Sequence, residues 1–202
     1  MSAPSLTYAQ ASKALLRNSL LDGLRELLTS RDWSKVTMAA VARHAGVSRQ
    51  TVYNEFGSRN GLAQAYALRL VEEYTGEIER SVAEAPNDLD GALTAGFARF
   101  FEGAAADPMI ASLLSGEGNP DLLRLITTDA APLIAATKTR LTQVVVGSWI
   151  ALPSEKADRI AGAVARMALS YVAMPPEVPI PEVAANLAAL FAPAIREARQ
   201  AP

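Results

Sequence analysis

Residues 36 to 62 read VTMAAVARHAGVSRQTVYNEFGSRNGL, and this stretch decides the fold of the first third of the chain. Two short helical patterns meet at its centre, in the segment HAGVS of residues 44–48. Thr37 is the expected N-cap of the first helix, because its hydroxyl can accept a hydrogen bond from the free N–H groups of the first turn. Gly46 is expected just after that helix, where a left-handed backbone costs little only for glycine or asparagine. The spacing therefore predicts a helix-turn-helix.

The second helix of the motif, expected over Arg49–Phe56 with Ser48 as its N-cap, has two different faces. Val52 and Phe56 lie one turn apart and are expected to pack on the rest of the module. The other face carries the polar and aromatic side chains of Arg49, Gln50, Thr51, Tyr53 and Asn54. An α-helix fits the major groove of DNA, where arginine can donate to guanine and glutamine or asparagine can bond adenine. This face is therefore expected to recognise bases.

The remaining polar groups of the motif suit the DNA backbone. The Tyr53 hydroxyl is expected to bond a phosphate, and Thr51 a phosphate or a thymine methyl group. The hydroxyls of Thr37 and Ser48 lie at helix N-termini, where phosphate is favoured. A solvated polar face on an ordinary three-helix core is the alternative. The coincidence of two caps, a glycine turn and a polar-aromatic face favours DNA binding.

The segment resembles the DNA-binding domain of the tetracycline-repressor-like (TetR) family over about residues 10–65. The matching positions are Val41-Ala42, Ala45-Gly46-Val47-Ser48, Thr51-Val52-Tyr53, Phe56, Ser58 and Leu62. Arg59 stands where the family usually has lysine, and Gly61 where a better helix former is commoner. The resemblance implies that Arg59 also contacts a phosphate. The DNA-binding set is thus Thr37, Ser48, Arg49, Gln50, Thr51, Tyr53, Asn54 and Arg59.

The resemblance also implies how the protein works. Members of this family are homodimeric regulators, usually repressors, that bind a palindromic operator. A larger C-terminal body binds a ligand, and the filled protein releases DNA. The fourth helix would act as a lever between the two parts.

Helical patterns fill the whole chain, so the expected fold is all-α, with a three-helix DNA-binding domain at 8–58 and a helical effector-binding and dimerisation domain at 59–202. The expected helices cover residues 8–29, 38–45, 49–56, 59–85, 89–105, 108–115, 119–150, 154–174 and 181–198. Pro132 should kink or split the seventh helix, and Pro193 should kink the last. Asn119 and Ser154 are expected N-caps, residues 1–7 a loose tail, and residues 116–118 a loop.

Composition narrows the function further. The sequence has no cysteine and one histidine, His44, inside the motif, so metal clusters built on these residues and cysteine–histidine catalysis are excluded. No site for a cofactor or an enzyme reaction is expected. No leader pattern or span of about 20 apolar residues is present, which favours a cytoplasmic protein without membrane contact.

The charge distribution argues against a purely architectural DNA protein, which tends to be small and strongly basic. Residues 1–60 carry 8 Lys and Arg against 4 Asp and Glu, whereas residues 61–202 carry 11 against 17. A basic module on a large acidic body suits a regulator better.

The body is rich in apolar residues, and an apolar effector with one polar end, such as a fatty acid or an acyl-CoA, is expected. An aromatic or cationic drug is the alternative, with Glu102 or Asp129 offsetting the positive charge. The candidate ligand-binding residues are Tyr74, Phe97, Phe100, Phe101, Met109, Ile110, Leu113, Leu122, Leu125, Ile126 and Trp149.

The last two helices each carry an apolar face with helical spacing. The expected dimer interface consists of Ile160, Val164, Met167, Tyr171, Val183, Leu187 and Leu190. The sequence alone leaves this nearly even with an ordinary core inside one chain. The resemblance to the family favours the dimer.

Overall fold

A computed structural model describes residues 7–115 and 119–200, and in these ranges every regular element is helical, as predicted. Ten α-helices follow one another in these two ranges: α1 Tyr8–Ser30, α2 Met38–His44, α3 Arg49–Phe56, α4 Arg59–Glu84, α5 Leu89–Ala106, α6 Pro108–Leu114, α7 Pro120–Ile126, α8 Ala131–Gly147, α9 Ser154–Ala173 and α10 Ile180–Gln200. A short 3₁₀ turn, Trp33–Lys35, links α1 to α2. The loop expected at residues 116–118 lies outside the described residues.

The helix-turn-helix forms as the local sequence predicts. The Thr37 hydroxyl accepts from the Ala40 amide at 3.1 Å, and the Ser48 hydroxyl accepts from the Thr51 amide at 3.0 Å. Gly46 has a φ of 68°, the left-handed conformation expected after α2. Thr7, which was expected in a loose tail, instead caps α1 by accepting from the Gln10 amide.

The fourth helix belongs to both halves of the molecule. Leu62 and Tyr66 near its start are fully buried in the same core as Leu24 of α1 and Val52 of α3. Further along, α4 packs against α5 and α8, while α5 also packs against α10, and α8 against α9. A displacement of α4 in the body would therefore move the helix-turn-helix with it.

The expected split beside Pro132 occurs, whereas the two expected caps at Asn119 and Ser154 differ in the structure. The segment 119–150 is two helices, because residues 127–130 form a turn and Pro132 lies in the first turn of α8. The Asn119 side chain does not cap α7, and its amide donates instead to the Ser112 carbonyl at 2.9 Å. Ser154 is the first residue of α9 and not its cap, which is Pro153. Pro193 lies inside an unbroken α10.

Within the described ranges, no helix is long and apolar enough to cross a membrane.

Candidate nucleic-acid interface and apolar cavity

The recognition helix α3 buries one face and exposes the other. Val52 is fully buried and Phe56 nearly so, as expected. Arg49, Gln50 and Asn54 are exposed, and Thr51 and Tyr53 are half-buried. Thr37 and Ser48, the two capping residues, are also exposed. Seven of the eight predicted DNA-binding residues thus lie at the surface around one helix-turn-helix.

Two side-chain pairs order this face before any DNA is present. The Arg49 guanidinium donates to the Tyr53 hydroxyl at 3.1 Å and lies 5.2 Å from the centre of its ring. One residue on, the Gln50 amide donates to the Asn54 carbonyl oxygen at 2.8 Å. Both pairs are separated by one helical turn, so they align parallel to the helix axis. Fixing these long side chains in advance lowers the entropy lost on binding a base edge.

Arg59 has a different place from the one that the family resemblance implied. Its guanidinium donates to the carbonyls of Val36 at 3.0 Å and of Trp33, and to the Asp121 carboxylate at 2.9 Å. It also lies 4.3 Å above the ring of Trp33, which is fully buried. The guanidinium is therefore bonded within the protein, and we leave Arg59 out of the proposed DNA contacts.

The segment around Asp32, like Arg59, connects the DNA-binding module to the body. The Asp32 carboxylate accepts hydrogen bonds from the backbone N–H of Ser34 at 2.7 Å and from the side-chain Nδ2 of Asn119 at 3.2 Å. Burial raises the pKa of this carboxyl, but hydrogen bonds from Ser34, Asn119 and Ser115 outweigh it and hold the pKa at about 2. The connector between α1 and α2 is thus bonded to the ends of α6 and α7.

His44 is exposed at the surface of the module. Its Nε2 lies 2.5 Å from the Glu26 carboxylate on α1. In the part of the chain that the structure describes, no group of three or more acidic or histidine side chains could hold a metal ion.

An apolar cavity lies in the body between α4, α5, α6, α7, α8 and α9, and we call it the upper cavity. It encloses about 790 Å³ of space between atoms, part of it open to solvent. Eight of the predicted ligand-binding residues line it: Tyr74, Phe100, Met109, Ile110, Leu113, Leu122, Leu125 and Ile126. The lining also includes Ala67, Leu70, Val71, Thr75, Ile78, Leu133, Thr137, Ala165, Ala168, Leu169 and Val172, which the sequence had not singled out.

The walls of the upper cavity offer very few polar groups. Among the residues that the structure describes, no charged residue lines it, and the only polar side chains that do so are Tyr74, Thr75 and Thr137. The Tyr74 hydroxyl donates to the Gly103 carbonyl, and the Thr75 hydroxyl donates to the Val71 carbonyl. Burial raises the pKa of the Tyr74 phenol, so the group stays neutral. Such a lining suits an apolar molecule.

Three predicted ligand-binding residues do not line the upper cavity. Trp149 packs in a separate cluster at the far end of the body, where its indole N–H donates to the Val82 carbonyl at 2.6 Å. Phe101 is buried against Tyr171, with ring centres 5.3 Å apart. Phe97 packs in the same cluster as Phe101.

The acidic residues expected to balance a cationic drug face away from the cavity. Asp129 is exposed and pairs with Arg124 at 3.2 Å. Glu102 is exposed and lines an outer groove beside Arg99. Neither carboxylate lines the upper cavity, so the structure lends the cationic alternative no support.

The expected dimer residues lie mostly inside one chain. Val183 and Leu187 are buried against Phe101 of α5, so these two are corrected to core residues. Ile160, Val164, Met167 and Tyr171 are half-buried and face the interior of the body. Only Leu190 is open, with 63% of its surface exposed. The outer faces of α9 and α10 carry the exposed small residues Ala163, Ala185, Ala189 and Ala194.

Two family models match the chain. The model described as bacterial regulatory proteins of the tetR family covers residues 20–66, which include the helix-turn-helix. The model described as the C-terminal domain of the bacterial tetracycline repressor covers residues 88–193.

Known proteins match over nearly the whole length. The chain is 48% identical over 201 residues to the HTH-type transcriptional regulator AlkX of Mycobacterium tuberculosis, which covers 96% of this chain and 95% of that protein. The crystal structure of the TetR-family repressor AlkX from Dietzia sp. strain DQ12-45-1b, implicated in biodegradation of n-alkanes, has a TM-score of 0.84 at 41% identity, covering 91% and 97% of the two chains. A TetR regulator from Rhodococcus sp. RHA1 shares the fold at 17% identity, with a TM-score of 0.60 and coverage of 91% and 98%.

The matched families and relatives are transcriptional regulators, which confirms the expectation that the chain is not an enzyme. With two family models covering both halves and a relative at 48% identity along 96% of the chain, the protein belongs to the TetR family of bacterial transcriptional regulators.

Proposed function

We propose that this regulator is a homodimeric repressor that binds a palindromic operator and releases it when a fatty acid, an acyl-CoA or a similar lipophilic chain fills the upper cavity. The lining of that cavity carries the proposal. No charged residue lines it within the ranges 7–115 and 119–200, and the hydroxyls of Tyr74 and Thr75 already donate to backbone carbonyls. An aromatic or cationic drug would lack a partner for its charge or polar groups. A hydrocarbon chain requires none, and the charged end of a fatty acid can stay in water because part of the cavity is open to solvent.

The link of a relative to n-alkanes supports the same class of effector. The Dietzia AlkX is implicated in n-alkane biodegradation, and the two chains are 41% identical. Alkanes and the fatty acids made from them share a long apolar chain. That shared chemistry is what the upper cavity suits.

The proposed DNA contacts are those of the exposed face of α3 and its flanking caps. Arg49, Gln50 and Asn54 would meet bases, and Tyr53 a phosphate. Lys35 and Arg43 join the set, because both are exposed cations beside the motif, and neither forms an ion pair within the described residues. The division into a DNA-binding part at 8–58 and an effector-binding part at 59–202 remains part of this proposal, as does a cytoplasmic location, where the chromosome is.

The proposed dimer uses the outer faces of α9 and α10. Leu190 is a large apolar residue exposed on α10, and the exposed alanines Ala185, Ala189 and Ala194 precede and follow it along the same helix. Small residues let two helices approach closely, which suits packing against the same face of a second copy. This interface replaces the one expected from the sequence, apart from Leu190.

The coupling between cavity and DNA has two routes in this proposal. Along α4, Leu62 and Tyr66 anchor the module, whereas Leu70 and Ile78 line the upper cavity. The second route runs from the cavity-lining helices α6 and α7 to the α1–α2 connector, through Asn119 and Asp121. A ligand that shifts these helices changes the separation of the two recognition helices, which must match the half-site spacing of DNA.

Footprinting followed by an effector titration tests this function. The protein should protect one palindromic site in the DNA upstream of its own coding region, and a saturated long-chain fatty acid should weaken that binding. A cationic dye of similar size should have no effect. Even protection along the DNA would instead support an architectural protein, and release by the dye alone would support a drug sensor.

A further inference from the structure

The upper cavity is the first of three that lie in a row through the body. A middle cavity and a lower cavity follow it, with about 360 Å³ and about 600 Å³ of space between atoms, part of it open to solvent. The middle cavity shares Phe100 and Thr137 with the upper one, and Phe97 and Leu141 with the lower one. Together the three spaces run along the axis of the body.

The residues that line the cavities follow the same order along each of three helices. Along α8, Leu133 lines the upper cavity and Val145 the lower one. The antiparallel α9 reverses the direction, with Val172 in the upper cavity and Ile160 in the lower. Along α4 the upper cavity begins at Ala67, and the lower one ends at Val82. The row is therefore a property of the helix packing and does not depend on one wall.

Ile78 is the α4 residue at the junction, and it lines all three cavities. On the opposite side, α5 comes close to it through Gly96, where an added Cβ would lie 3.6 Å from Ile78 Cγ2. The Ile78 side chain thus fills the space between α4 and α5 at the point where the upper cavity narrows into the middle one.

We propose that Ile78 sets the longest hydrocarbon chain that the regulator binds well, by stopping the chain end at the bottom of the upper cavity. This inference rests on the proposed function, that the cavity takes a lipophilic chain. The middle and lower cavities lie beyond the stop and stay empty when the natural effector is bound. Ile78 is therefore a specificity-determining residue.

The geometry of α4 gives the length. Eleven residues separate Ala67 from Ile78, which is about 16 Å along the helix axis at about 1.5 Å per residue. An extended chain advances about 1.3 Å per carbon, given C–C bonds of about 1.5 Å at tetrahedral angles, so about 13 carbons fit above Ile78. Continuing to Val82 adds about 6 Å at the same rise, which extends the limit to about 17 carbons.

A homologous series of saturated fatty acids tests the inference, with affinity measured by displacement of an environment-sensitive fluorescent fatty acid. In the natural protein, affinity should rise about fourfold per added methylene until the chain reaches Ile78, and then level off. The chain length at which the affinity stops rising is called the levelling point. Ile78→Ala should move the levelling point to chains about four carbons longer. Ile78→Phe, which narrows the junction, should move it to shorter chains. Because the readout is the position of the levelling point, a change in overall affinity does not imitate it.

Leu93→Ala is the matched control. Leu93 lines only the lower cavity among the three, so its truncation removes side-chain volume beyond the stop. This variant should keep the levelling point of the natural protein. An unmoved levelling point in Ile78→Ala would overturn the inference while leaving the fatty-acid effector in place, and so would an equal shift in Leu93→Ala. Failure of the natural protein to bind any fatty acid would overturn this inference and the proposed effector together.

Discussion

Replacing Arg59 with alanine should destabilise the fold by about 3 kcal/mol without removing a contact to DNA. The guanidinium donates to the carbonyls of Val36 and Trp33 and covers the Trp33 ring. All of these groups belong to the connector between α1 and α2. Arg59 itself begins α4, so the side chain holds the connector against the helix that enters the body.

The magnitude follows from the individual contacts. Hydrogen bonds from a charged donor to the connector carbonyls contribute about 2 kcal/mol. The stacking of the cation on the Trp33 ring contributes about 0.5–1 kcal/mol. The ion pair with Asp121 adds less than about 1 kcal/mol, because the two side chains are 31% and 36% exposed and water screens them.

Urea unfolding followed by circular dichroism measures the stability change, and the salt dependence of operator binding measures the number of phosphate contacts. Each lost phosphate contact lowers the slope of log affinity against log salt by about 0.9. For Arg59→Ala we expect the loss in unfolding free energy with an unchanged slope. Asp121→Asn is the matched control, because it removes only the ion pair and should cost less than about 1 kcal/mol. A slope reduced by about 0.9, with the unfolding free energy unaltered, would show that Arg59 contacts a phosphate and does not hold the connector.

Three further outcomes follow from the structure. Arg49→Ala should relax base preference at one position of each half-site by about 1–3 kcal/mol, whereas Tyr53→Phe should weaken all operator variants alike; binding assays on such variants would contradict the assignment if the two patterns coincided. Leu190→Glu should yield folded monomers in analytical ultracentrifugation, and an intact dimer of this variant would argue against the proposed interface. Leu187→Ala, at a buried position, should instead lower the free energy of unfolding of the protomer by about 2–5 kcal/mol. The pKa of Asp32 is lowered to about 2 in the folded protein, so its stabilising effect is present above about pH 4 and disappears as the pH falls toward 2. In the Asp32→Asn variant, the free energy of unfolding measured with urea should depend less on pH in that window. An unchanged pH dependence would show that the Asp32 carboxylate does not stabilise the fold in this way.

The structural features that depend on adjacent residues could be predicted from the sequence. Thr37 and Ser48 cap their helices through bonds three residues away, and Gly46 turns the chain with its own backbone. Each of these depends on a few adjacent residues, whose chemistry and spacing the sequence displays directly.

Features set by distant contacts could not be predicted in this way. Arg59 bonds Asp121, which lies 62 residues further along the chain. The inward face of α10, with Val183 and Leu187, has the same periodic pattern whether it meets α5 or a second copy. The sequence equally could not separate Phe100, which lines the upper cavity, from its neighbour Phe101, which does not and is buried against Val183 and Leu187.

An apolar chain in the upper cavity is proposed to release the regulator from its operator. The most direct measurement is the operator affinity of one preparation before delipidation, after it, and after a saturated fatty acid is added back. Release by the filled cavity predicts that delipidated protein binds the operator more tightly, and that the added fatty acid weakens binding again in proportion to cavity occupancy measured by native mass spectrometry. Equal operator affinity in the empty and filled states would contradict it.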